Sequence, residues 1–215
     1  EITPEPDPMA EYPGGKREGR MLSPKAIRRG VAGKFGPKIR RSTLPHLFTY
    51  VEGHEIRPYA HPIRAVLQLL PKLIVRLLTN ARGQGNALVA GLISGCLDHG
   101  VEIKTSTPVI KLITDEVGGV SGVMVDGPDG QKELYATRGV VLATGGFDWD
   151  DALRETHFPG PFDRIGSPRT NTGDGQRMAA DIGAELAHMD QANVYATLPT
   201  KYEGHVHGMP MTFHG

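Results

Sequence analysis

Gly139-Val140-Val141-Leu142-Ala143-Thr144-Gly145-Gly146-Phe147 decides how the chain is read. Apolar residues run together and give way to a threonine and two glycines. An unbroken apolar run of this length predicts a strand buried on both faces, as in a parallel sheet covered by helices. The glycines mark the point where the chain leaves the sheet. Ligands of open α/β sheets sit beyond the carboxyl ends of strands. Without a Cβ, the backbone at Gly145 and Gly146 can approach such a ligand closely. The plainer reading is a buried strand ending in an ordinary turn, and only the surrounding sequence separates the two.

The 215 residues suffice for one good core or somewhat more than one domain. Net formal charge is zero, which argues against bulk attraction to nucleic acid or an anionic surface. The charges are unevenly placed, however. Residues 1–80 hold 14 Lys/Arg and 7 Asp/Glu, and the rest of the chain holds 10 and 17. The single cysteine, Cys96, excludes an internal disulfide and fits a reducing, cytoplasmic setting; its apolar surroundings predict a core role. No run of apolar residues reaches the length of a membrane span. A chain that opens on Glu1 and stops at Gly215 reads as an internal fragment of a longer protein.

Upstream of the decisive stretch, prolines and paired glycines predict little regular structure over residues 1–60. Lys16 to Arg41 carries ten basic residues and one acid, Glu18. It reads as a solvated loop; the functional alternative is a patch for phosphate or nucleic acid, with only Phe35 to stack. Ile63, Val66, Leu67, Leu70, Ile74, Leu77 and Leu78 recur at helical spacing and predict a core-facing helix, kinked or split at Pro71. A membrane-surface or partner-binding face is the other reading of that stripe. Gly83-Gln84-Gly85-Asn86 opens a second helix, with Asn86 as its cap, and Gly100 closes it.

Val101 to Lys104 then reads as a short strand. Val109–Thr114, Val120–Asp126 and Lys132–Ala136 predict a β-meander, turned at Pro128-Asp129-Gly130. After the decisive stretch, Asp148 is expected to cap a short helix over residues 149–155. Asn171-Thr172-Gly173-Asp174-Gly175 opens another, closed by Gly183, and residues 184–189 read as extended. The tail shows no clear period. His188, His205, His207 and His214 raise the question of a metal, but no carboxylate or cysteine stands at a partner spacing, and none is expected.

Asn171 to Gly175 has two readings as well. Thr172 and Asp174 can simply satisfy the free N–H groups of a helix start. Alternatively the glycines let the loop press on a flat or phosphorylated ligand, with Asp174 accepting from its hydroxyls.

In order and spacing, Ala81 to Leu88, Gly100-Val101-Glu102-Ile103, Thr107-Pro108-Val109, Gly139 to Phe147, Asn171 to Gly175 and Gly183-Ala184-Glu185-Leu186 resemble the fumarate reductase and 3-ketosteroid dehydrogenase flavoprotein superfamily. Pro6-Asp7, Glu11, Pro13-Gly14-Gly15 and Gly19-Arg20 resemble a loop that follows the N-terminal flavin-binding section of that superfamily. The resemblance implies an α/β fold: a partial Rossmann-like FAD-binding domain with an inserted β-meander, and the start of an α+β capping domain. Residues 1–80 would form its loop-rich and helical segment, 81–192 its core, and 193–215 the start of the cap.

It further implies that FAD lies across the domain. The Val109 backbone would face the adenine, while Ala143, Thr144, Gly145 and Gly146 line the adenosine and pyrophosphate. Asn171, Thr172, Gly173 and Asp174 would lie near the flavin. The implied reaction is hydride transfer between the flavin and an activated carbon beside a carbonyl, with a ring ketone or activated alkene as substrate and a separate electron acceptor. Two departures stand out. The superfamily's G-x-G-x-x-G is not in this chain, and Pro8 and Met9 stand where steroid-oxidising members carry aromatic residues. Tyr195 falls near a substrate-binding histidine of the fumarate reductase branch and is expected to line the substrate pocket. The rival reading is a non-catalytic α/β binding module that uses the basic first segment.

Overall fold

In the computed structural model the described residues are 2–5, 13–16, 21–40, 47–56, 60–194 and 196–210. Pro6, Asp7, Pro8, Met9, Glu11, Gly19, Arg20, Tyr195 and His214, named above, lie outside them. The fold is mixed α/β and divides into two compact units, one reaching to Glu102 and the other beginning at Ile103.

In the first unit, strands β1 (Ile2–Glu5) and β2 (Met21–Pro24) pair antiparallel. β3 (Ile27–Arg28) pairs with β4 (Ala81–Arg82). The basic run is therefore not a simple solvated loop. Its centre, Arg29–Lys38, winds as a 3-10 segment against helix α3 (Gln84–Asp98), and Ala32, Ile39 and Ala90 are buried between them. Arg29 is buried and donates to the Gly36 and Ile39 carbonyls, both at 2.7 Å. One basic residue of the run thus serves to satisfy backbone acceptors that would otherwise be stranded. α3 begins after Gly83 rather than Asn86, and Gly100 follows it in the left-handed conformation (φ +71°), as its sequence predicts.

Helices α1 (Tyr50–Ile56) and α2 (Pro62–Leu78) enclose a second small core of Ile56, Ala65 and Leu69. α1 starts on a reciprocal capping box. The Glu52 N–H donates to Thr49 Oγ1 (3.2 Å), and the Thr49 N–H donates to Glu52 Oε2 (3.0 Å). α2 runs through Pro71 without the break that residue predicts. Its orientation is the larger departure. Ala65, Leu69, Leu73 and Arg76 form the inward stripe, with Lys72 at its exposed edge, while Ile63, Val66, Leu67, Leu70, Ile74, Leu77 and Leu78, expected in the core, are exposed.

The cause is Glu52. Arg76 grips it with both guanidinium nitrogens (2.6 and 2.8 Å) and also donates to the Leu47 carbonyl (2.6 Å), and Lys72 reaches it at 3.1 Å. Burial alone would push this carboxyl up. The Arg76, Thr49 and Lys72 hydrogen bonds outweigh burial and bring it down to about 2 from an ordinary 4.5.

The second unit begins with the meander. β5 (Val109–Thr114), β6 (Val120–Gly127) and β7 (Gly130–Tyr135) lie side by side, antiparallel, with Val109 opposite Val125 and Gly122 opposite Tyr135. Leu112 and Val125 are its buried side chains. Helix α4 (Asp151–His157) follows, then α5 (Asp174–Asp181), which packs on β5. The cap of α4 is Asp150, two residues beyond the expected Asp148. Its carboxyl accepts from the Leu153 N–H (2.8 Å) and pairs with Arg177. The Leu153 N–H holds it below the usual carboxylate range; burial opposes this and Arg177 adds to it. The tail is not irregular: β8 (Thr197–Tyr202) and β9 (His205–Pro210) form a hairpin.

Residues 139–147 contradict the expected buried strand. They have no regular structure, and Val141 is 90% exposed. Residues 101–104 and 184–189 form no strand either. A strand exists only where neighbours complete its hydrogen-bond ladder. The described residues place no strand beside these segments, and all their strand pairs are antiparallel.

Candidate functional site

The two glycine-bearing loops that stood out in the sequence meet in the second unit. The Gly173 N–H donates to the Gly146 carbonyl (3.1 Å), and the Trp149 N–H donates to the Asn171 carbonyl (3.0 Å). The Asn171 amide donates to Asp148 Oδ2 (3.3 Å), and Gln176 Nε2 donates to the Gly145 carbonyl (3.1 Å). Residues 144–149 and 171–176 therefore form one interlocked pair of loops at the start of α5.

Glycine is required at several points of this lock. A Cβ on Gly145 would strike the Asn171 side chain, and one on Gly146 would lie 2.9 Å from an Asp148 oxygen. The room left by those missing side chains is filled from within the protein. Gly173 has φ +76°, and a Cβ there would meet Leu153 and lie 3.1 Å from the Phe147 Cβ. A Cβ on Gly175 would run into the Thr144 hydroxyl. Thr172, half-buried, donates to the exposed Asp174 Oδ1 (3.1 Å) at the first turn of α5.

Of the ten residues singled out in the sequence, the structure gathers Thr144, Gly145, Gly146, Asn171, Thr172, Gly173 and Asp174. Ala143 adjoins them on the exposed approach. Val109 stands apart on β5, the strand against which α5 packs. Tyr195 lies outside the described residues.

Beside the interlocked loops opens a cleft of about 880 Å³, walled by Phe147, Asp148, Phe162, Ser167, Gln176 and Asn193 among others. Its size suits an organic ligand. Arg154 sits over the Phe162 ring, 4.9 Å from its centre, and donates to the Asp148 carbonyl (2.9 Å). Ser167 Oγ and Gln176 Oε1 are buried at this wall without a hydrogen-bond partner. Buried polar atoms rarely stay unpaired. Both residues belong to the wall of the cleft, so its lining carries polar side chains with hydrogen-bonding capacity to spare. Sequence reasoning missed Gln176 and Ser167, because only the fold brings them to the glycine loops.

The paired histidines of the tail are otherwise engaged. His207 is buried against the Trp149 and Tyr202 rings (5.2 and 5.7 Å between centres), and His205 is bonded to Arg169. A guanidinium at His205 disfavours a cation there. Among the described residues no three His, Cys, Asp or Glu side chains are grouped to hold a metal.

The interlocked glycine loops and the cleft beside them lie within the stretch that matches a known family. The chain belongs to the FAD binding domain family, whose description matches residues 17–211, and FAD is the cofactor that family indicates. It is 31% identical over 217 residues to the 3-oxosteroid 1-dehydrogenase of Mycolicibacterium smegmatis, covering 90% of this chain and 37% of that protein. It is 32% identical over 101 residues to Fumarate reductase 1 of Saccharomyces cerevisiae, covering 45% of this chain and 21% of that protein. The crystal structure of 3-ketosteroid delta1-dehydrogenase from Sterolibacterium denitrificans superimposes with a TM-score of 0.80 at 29% identity, covering 97% of this chain and 41% of that one. The chain thus spans about two fifths of the length of these steroid-oxidising relatives.

Proposed function

We propose that the chain is part of an FAD-dependent oxidoreductase that oxidises a ketone-bearing ring. The observation that carries this reading is the interlocked pair of glycine loops beside a cleft with two unpartnered polar atoms, in a chain of the FAD binding domain family. Bound FAD would supply the hydride acceptor. The chain's own residues would seat and orient it. Ala143, Thr144, Gly145 and Gly146 offer backbone to the adenosine and pyrophosphate, and Val109 offers backbone to the adenine. Asn171, Thr172, Gly173 and Asp174 stand toward the flavin, with Gln176 and Ser167 as further polar contacts.

We further read the domain as Rossmann-like with β5–β7 as its insert. Residues 1–80 form its loop-rich and helical segment, 81–192 its core, and 193–215 the start of a cap. Among the described residues no helix is long and apolar enough to cross a membrane.

A ring ketone is favoured as substrate because the curated steroid-oxidising relative aligns over 90% of this chain, against 45% for the fumarate reductase. Reduction of an activated alkene is the second reading. Anaerobic addition of a 3-oxosteroid or a 4-oxocyclohexane carboxylate to the flavin-loaded protein at its natural length should bleach the flavin. Bleaching by neither, with reoxidation by fumarate after chemical reduction, would favour the alkene. The resemblance of its position to that of a substrate-binding histidine in the fumarate reductase branch is the ground for assigning Tyr195 to the substrate. Tyr195→Phe in the complete enzyme should change kcat or KM; unchanged values would remove Tyr195 from the site.

A further inference from the structure

We infer that His207 is a positioning residue for the cleft: wedged against Trp149, it latches the β8–β9 hairpin to residues 165–167 and so fixes one stretch of the cleft wall relative to another. A two-stranded hairpin has no second layer of its own in which to bury a face. Leu198 on β8 and Val206 on β9 are accordingly 48% and 49% exposed. His207 departs from this, at 7%. Its ring centre lies 5.2 Å from that of Trp149 and 5.7 Å from that of Tyr202. Its buried Nε2 has no hydrogen-bond partner among the described residues. The imidazole is therefore held by its ring contacts and not by a polar bond at that nitrogen.

Trp149 is itself anchored. Its indole N–H donates to the Ser167 carbonyl (3.0 Å), and the Arg169 guanidinium lies 5.2 Å from its ring centre. Beside His207, the Gly208 N–H donates to the Ile165 carbonyl (3.0 Å). Two adjacent hairpin residues thus hold residues 165–167, and the bond between His205 and Arg169 extends the contact. Ile165, Gly166 and Ser167 wall the cleft, and so do Ala196 and Thr197, where β8 begins. Gly208 connects the two stretches. A Cβ on it would lie 2.8 Å from Thr197 Oγ1 and 3.0 Å from Thr197 Cβ. Groups packed this closely pass a displacement on, so a shift at the latch reaches Thr197. At the other end it reaches Ser167, whose hydroxyl is one of the unpartnered polar atoms of the cleft. The effect on kinetics rests on reading the cleft as the substrate's place in the flavoenzyme; the latch itself does not.

The test uses the protein at its natural length, wild type beside His207→Ala, His207→Phe and Trp149→Leu. Amide hydrogen exchange is followed by mass spectrometry over residues 163–169 and 196–210, and kcat and KM are measured with a ring ketone. In His207→Ala, exchange should rise in both stretches together while flavin content stays at the wild-type level. KM should rise about tenfold, the size of lost aromatic pairing, with kcat little changed. His207→Phe keeps the ring without the stranded nitrogen and should restore both readouts. Trp149→Leu removes the other half of the latch and should reproduce both changes, even if His207→Ala does not fold. Exchange that stays at the wild-type level in the alanine and leucine variants would overturn the inference. So would faster exchange with an unaltered KM, since the latch would then not set the cleft. His207→Phe as impaired as His207→Ala would move the role from the ring to its nitrogen and overturn it too. A wild type that carries no flavin overturns the proposed function instead, and the exchange data still decide the latch.

Discussion

Gly173→Ala is expected to strip the complete protein of most of its flavin and to lower its melting temperature markedly, whereas Gly183→Ala should lower the melting temperature less and leave the flavin bound. Both glycines are left-handed, at φ +76° and +87°. An alanine costs about 1–2 kcal/mol in that conformation. At Gly183 nothing lies within reach of an added Cβ, so this strain is the whole penalty. At Gly173 the Cβ also meets Leu153 and comes within 3.1 Å of the Phe147 Cβ. The leucine tip can rotate away, but the Phe147 Cβ is fixed by its backbone. Such overpacking adds about 1–3 kcal/mol. It would act on the hydrogen bond from Gly173 to the Gly146 carbonyl, where the two loops lock. Flavin content after gel filtration and the melting temperature are the readouts. Equal behaviour of the two variants would mean that the close approach at Gly173 does not hold the loops.

Glu52→Gln should be the most destabilising change in the first unit. The buried carboxylate carries the Arg76 fork, the Lys72 ammonium and the Thr49 N–H. Removing one partner of such a network costs about 3–5 kcal/mol, since the guanidinium remains without its anion. Linkage gives a similar size. A folded value of about 2 against an ordinary 4.5 corresponds to about 3 kcal/mol. Because the folded value is depressed, this stability is fully present above pH 4.5 and is lost as pH falls from there toward 2. Wild type and variant, compared by denaturant melts from neutral pH downward, should differ most near neutrality and converge in acid. A pH-independent difference would refute the ionic account. α2 should also lose its orientation, because Glu52 holds its inward stripe.

That orientation shows where sequence reading reaches its limit. The spacing of Ile63, Leu67, Leu70, Ile74 and Leu78 identifies the helix and its apolar face correctly. Which face turns inward depends on an ion pair 24 residues away, and no local pattern contains it. The capping box Thr49-x-x-Glu52 was legible and marks the start of α1, yet it lay in a segment whose prolines and charges suggested no structure. The meander was read closely, because alternation and the turn at Gly130 are local signals. The β8–β9 hairpin was not, since Pro199 and the polar residues around it hide any alternation.

Residues 139–143 illustrate the opposite error. Their apolar run reports what a sheet would make of them, but a strand's existence belongs to its neighbours. At the site, the glycines of both loops were visible in the sequence, while their mutual locking through Asn171, Asp148 and Gln176 depends on contacts across 23 to 31 residues.

The central claim is that these loops hold FAD. The most direct measurement is the visible absorbance spectrum of the protein, purified at its natural length, with the released cofactor identified after denaturation. The account predicts a yellow protein carrying one FAD per chain, and loss of that FAD in Gly173→Ala but not in Gly183→Ala. A colourless protein that takes up no FAD on reconstitution, while folded and monodisperse, would contradict it.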